Sequence, residues 1–122
     1  MFDAKADIPR AQALAEILCG AAQVDDELDP DEASAIQDEM RALLEIAGLP
    51  PEVDRHIRTF NRKGFDVVGA LGRLRLSDTA HKKALMRSVR AIIKSDGITR
   101  ETETDYFAKL AQVLRIAASD ID

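Results

Sequence analysis

Apolar side chains recur at intervals of three and four along most of this chain, and that period constrains the fold more than any other feature. Ala11, Leu14, Ala15, Leu18 and Ala22 share one face of a predicted helix from Ile8 to Gln23, with Gln12 and Glu16 elsewhere. Ile36, Met40, Leu43, Leu44 and Ala47 form a second stripe, Leu85, Val89, Ile92 and Ile93 a third, and Phe107, Leu110, Val113, Leu114 and Ala117 a fourth. Ala and Leu are abundant while aromatics are only 4% of residues, a bias toward helix and away from sheet. The expectation is an all-α bundle of about six helices.

Local signals set the boundaries. Asp29 is a good N-cap, Pro30 suits the first helical position and Glu32 completes a capping box, so the second helix starts near Pro30. Gly48, ahead of Pro50 and Pro51, is its expected stop. Pro51 to about Arg62 reads as a third helix with Val53, Ile57 and Phe60 inward, ending near Gly64. Asp66 to Arg75 reads as a fourth, weakened by Gly69 and Gly72. Ser77 or Asp78 caps the fifth, which runs to Lys94, and Thr99 caps the sixth, which gives way to a polar tail from Ser119.

At 122 residues, with 46% hydrophobic and 32% charged, the chain is long and apolar enough for one self-sufficient domain over 1–122. Its first ten residues mix Asp3, Lys5 and Asp7 among few apolar ones, unlike a signal peptide, and no run approaches the length of a membrane span. A lone cysteine, Cys19, forms neither a disulfide framework nor a multi-thiolate site; it reads as a small core residue of a cytoplasmic protein.

The pattern occurs twice. A shift of 70 residues superposes Asp26 on Asp96, Leu28 on Ile98, Asp31 on Glu101, Ile36 on Tyr106, Met40 on Leu110, Leu44 on Leu114, Ile46 on Ile116 and Ala47 on Ala117. A shift of 71 instead pairs Asp25 with Asp96 and Glu32 with Glu103. Each half, about 8–48 and 78–118, reads as helix, acidic loop of about eight residues, helix. Neither half buries its stripes alone, so the two are expected to pack face to face about a pseudo-two-fold, with short helices over 51–75 closing the bundle.

The loop segments Val24-Asp25-Asp26-Glu27-Leu28-Asp29-Pro30-Asp31-Glu32 and Ser95-Asp96-Gly97-Ile98-Thr99-Arg100-Glu101-Thr102-Glu103 resemble the TerB-like family associated with tellurite resistance. That family's pattern is a small residue, Asp-Gly, a short spacer and Glu at a helix start, present twice. The basic amphipathic stretch Lys82 to Gly97 is also similar to the family's second half, and the likeness spans about Ala11 to Ala118. It implies an all-α fold, clustered acids that bind a divalent metal, and a place in a stress-response or membrane-associated complex. The matching positions are Asp25, Glu32, Asp96 and Glu103; Asp26 stands where the family prefers Gly.

Clustered carboxylates are hard oxygen ligands, suited to calcium, magnesium or manganese rather than zinc. The candidate ligands are Asp25, Asp26, Glu27, Asp31, Glu32, Asp96, Glu101 and Glu103. They do not make an EF-hand, which needs Gly at its sixth position and Glu at its twelfth; counted from Asp25 these are Pro30 and Ile36. The competing reading is that acids in a first helical turn complement the helix dipole and stay solvated. A metal-binding module and a metal-independent protein-interaction scaffold both remain open.

Net charge is −5, distributed in blocks: −11 over 1–54, +9 over 55–94 and −3 over 95–122. The bases Arg55, Arg58, Arg62, Lys63, Arg73, Arg75, Lys82, Lys83, Arg87 and Arg90 are expected to pair with the acidic flanks or to dock an acidic partner or a membrane-peripheral complex. An acidic total and the lack of a reader motif argue against nucleic acid. His56 and His81 read as surface residues. No nucleophile motif or phosphate-binding glycine loop occurs, and no enzymatic activity is expected.

Overall fold

The computed structural model describes residues 8–22, 30–60, 65–76, 78–94 and 101–116; the side chains of 30–32, 94 and 101–104 fall outside that description. Among the described residues the chain is compact and wholly helical, with α1 (Ile8–Ala21), α2 (Pro30–Leu44), α3 (Pro51–Arg58), α4 (Val67–Leu74), α5 (Thr79–Lys94) and α6 (Glu101–Leu114). No described helix is long and apolar enough to cross a membrane.

The bundle is organised around α1, which touches all five other helices and packs most extensively on α4 and α3. Ala11, Ala13, Leu14, Ala15, Ile17, Leu18, Cys19 and Ala21 are all fully buried. The expected one-faced stripe is therefore incomplete: α1 is covered on nearly every side, as a helix apolar almost all round must be. Its many alanines and Gly20 leave room for neighbours to approach closely. The middle helices accordingly line the central helix instead of simply closing the ends of a symmetric pair of hairpins.

The other helices are amphipathic. Ile36, Met40, Leu43 and Leu44 of α2 and Leu85, Val89, Ile92 and Ile93 of α5 are buried as expected, and α5 adds Ala84, Met86 and Ser88. On α6, Leu110 and Leu114 are buried with Ala111 and the following Ile116, whereas Val113 is 40% exposed, contrary to its assignment to the stripe. Val53, Ile57 and Phe60 point inward from α3 and its end, and Phe60 meets Phe65 edge to face at 5.4 Å. Each fully buried Leu or Ile of this core contributes about 1.5–3 kcal/mol.

Helix ends differ from expectation where side-chain packing outweighs the obvious stop residue. α2 ends at Leu44, not at Gly48: Glu45 adopts φ 56° and the Ile46 amide donates to the Arg41 carbonyl at 3.1 Å. α6 ends the same way, with Arg115 at φ 59° and the Ile116 amide donating to Ala111 at 3.0 Å. Both are Schellman turns, and in each the residue after the left-handed one packs on the core. α3 stops at Arg58, where the Thr59 hydroxyl donates to the Arg55 carbonyl at 2.9 Å, and so ends earlier than Arg62. α4 is likewise shorter than expected and ends in left-handed Arg75; Arg10 Nε donates to its Leu74 carbonyl at 2.9 Å. Asp78 caps α5 by accepting from the Ala80 amide at 2.8 Å.

Eight residues separate α1 from α2 and six separate α5 from α6, so the connections are not of equal length. α2 and α6 begin 71 residues apart and end 70 apart. The two shifts that compete in the sequence thus each match one end of these helices.

Candidate functional site

Asp25, Asp26 and Glu27 in the first acidic connection, and Asp96 in the second, lie outside the described residues. So do the proposed caps Asp29 and Thr99, and the bases Arg62 and Lys63. Asp31 and Glu32 fall in the first turn of α2, and Glu101 and Glu103 in the first turn of α6, with their side chains outside the description. Among the described residues, no three His, Cys, Asp or Glu side chains gather as a metal would need.

The helices that flank these acids are joined directly. Tyr106, in the second turn of α6, donates its hydroxyl to the Ile17 carbonyl near the end of α1 at 2.7 Å. Gly20, the penultimate residue of α1, makes this possible: a Cβ there would stand 2.7 Å from the Tyr106 hydroxyl and 2.6 Å from Phe65 Cε2. The chain leaves α1 toward the first acidic segment at Ala21 and enters α6 from the second at Glu101. At 1.5 Å per helical residue, these two points are roughly 6 and 8 Å along their helices from the Tyr106 hydrogen bond.

A second polar arrangement lies where α1, α3 and α4 meet. The Glu16 carboxylate, 15% exposed, accepts from Arg73 Nη2 at 3.1 Å through Oε1. Its Oε2 lies 3.0 Å from the same nitrogen and 3.1 Å from His56 Nε2, and makes a hydrogen bond to neither. His56 is thus a half-buried partner of Glu16 and not simply a surface residue. Sequence reading missed this cluster, although a signal existed: Glu16 is the one acid of the largely apolar α1, and a mostly buried carboxylate needs polar or charged partners around it.

The cluster links α1, α3 and α4. Cys19, one turn on, is fully buried, and burial followed by the Glu16 charge pushes its thiol far up, so it stays protonated as an inert core residue. On α2, partial burial and then the adjacent Asp38 raise the Glu39 carboxyl. The basic centre is spread over α3, α4 and α5; Arg73 of α4 pairs with Glu16 of α1, as expected of an acidic helix beside a basic one, whereas Arg58 pairs with Asp54 at 3.0 Å within α3 itself. Compared with protein-family models, curated proteins and solved structures, the chain matches none.

Proposed function

We propose that this chain is a non-enzymatic, TerB-like helical module that takes up one divalent cation between its two acidic segments and serves within a stress-response or membrane-associated complex in the cytoplasm. The observation that carries the reading is the Tyr106 hydrogen bond to Ile17, which ties together the helix ends leading out of one acidic segment and into the other. The common Schellman ends of α2 and α6, at Glu45 and Arg115, support a duplicated origin for the two units. Calcium, magnesium or manganese suits the available carboxylates, with Asp25 and Asp96 as the central pair and Asp26, Glu27, Asp31, Glu32, Glu101 and Glu103 as the surrounding donors.

A second reading has an observation of its own. Val68, 50% exposed, stands on α4 beside exposed Gly69 and Gly72, a surface suited to a protein-interaction scaffold that needs no metal. Calorimetric titration separates the two. The cation reading expects heat with calcium or manganese at millimolar concentration or below, lost in Asp25→Asn and in Asp96→Asn. Absence of heat with calcium, magnesium and manganese leaves the scaffold reading.

A further inference from the structure

Between α2 and the start of α3 lies a cleft of about 370 Å3, lined by Gln37, Arg41, Leu49, Pro51 and Asp54. Gln37 and Arg41 stand one turn apart on α2, and Pro51 and Asp54 stand nearly one turn apart on α3. Half-buried Leu49 enters from the connection and packs on the core. The volume is near the lower end for small-molecule sites.

The cation and the anion that line this cleft do not pair with each other. Arg41 turns to Asp38 on its own helix. Asp54 accepts from Gln37 Nε2 at 2.5 Å and pairs with Arg58 Nε at 3.0 Å. In both ion pairs the outer member is the more exposed: Asp38 is 64% and Arg58 69% exposed, against 37% for Arg41 and 30% for Asp54. Ion pairs so open to solvent hold little energy and exchange readily for a better-placed partner.

A cleft with a guanidinium on one wall, a carboxylate on the other and aliphatic surface between them is complementary to a small zwitterion. We propose that it binds a free α-amino acid with an aliphatic side chain. The ligand carboxylate meets Arg41, its ammonium meets Asp54, and its side chain rests on Leu49 and Pro51. Asp54 disfavours a simple anion, and Arg41 disfavours a simple amine. None of the lining residues belongs to the acidic segments, and the binding does not depend on a bound cation.

Titration of the full chain with L-leucine, followed by backbone amide shifts, tests this. The expected result is saturable shifts at amides of 37–41 and 49–54, with a dissociation constant on the order of 1 mM for so few contacts. 4-Methylpentanoate, which lacks the ammonium, and isopentylamine, which lacks the carboxylate, should each bind about tenfold more weakly than L-leucine, and L-leucine should bind Arg41→Gln and Asp54→Asn about tenfold more weakly than the unaltered chain. Both substitutions fall at partly exposed positions, and the amide spectrum reports directly whether the fold is kept. No shifts at those amides, equal binding of the single-charge analogues, or unaltered binding in both folded variants would overturn the proposal.

Discussion

α1 and α5 each open a helix pair, yet they live in different surroundings. In the 70-residue register, Leu14, Ala15, Leu18 and Cys19 correspond to Ala84, Leu85, Ser88 and Val89, and all eight are buried. The opposite faces diverge: buried Ala13, Ile17 and Gly20 correspond to Lys83, Arg87 and Arg90. The reason is that α3 and α4 pack against α1, whereas α5 packs mainly on α1, α6 and α2. One helix is therefore central and the other peripheral, and the short helices between the pairs decide which.

The sharpest way to break this comparison is to exchange the corresponding residues. Ile17→Arg buries an unpaired charge at the centre and is expected to cost about 5 kcal/mol or more, enough to prevent folding. Arg87→Ile should shift stability by no more than about 1 kcal/mol. Chemical denaturation of both proteins checks the pair; equal effects would mean that α1 is not the centre.

Smaller substitutions probe the tie between α1 and α6. Gly20→Ala drives a methyl group into Phe65 and Tyr106 and should destabilise by about 1–3 kcal/mol in urea unfolding. Tyr106→Phe keeps the ring but removes the hydrogen bond to Ile17, at a cost of about 1 kcal/mol, with amide exchange quickening at the last turn of α1. Gly72→Ala should have the opposite sign. A Cβ there meets open space, so the helix gains about 0.5–1 kcal/mol, read as a rise in Tm.

The helices themselves were legible in the sequence because period and caps are local. Pro30 opens α2 and Asp78 caps α5, as their residue types indicate. The end of α2 was not legible, because a nearby Gly48 is the stronger stop signal by type; what places the turn at Glu45 is the fit of Ile46 to the core, a tertiary effect. The burial of α1 was hidden for a similar reason. Gln12 and Glu16 look like a solvated face, and Glu16 finds its partners, His56 and Arg73, on helices 40 and 57 residues away in sequence. Of the candidate metal ligands, sequence indicates chemical type and helix-start position. Whether they converge depends on side-chain placement across two connections, which no local rule dictates.

The central claim is that both acidic segments serve one cation. A crystal structure of the chain grown with manganese, with the ion located by its anomalous signal, tests it most directly. The expected result is one ion with carboxylate oxygens of both Asp25 and Asp96 in its coordination shell, at roughly 2.1–2.6 Å. Asp25 and Asp96 carboxylates more than about 10 Å apart, too far to share an ion at such ligand distances, would contradict it.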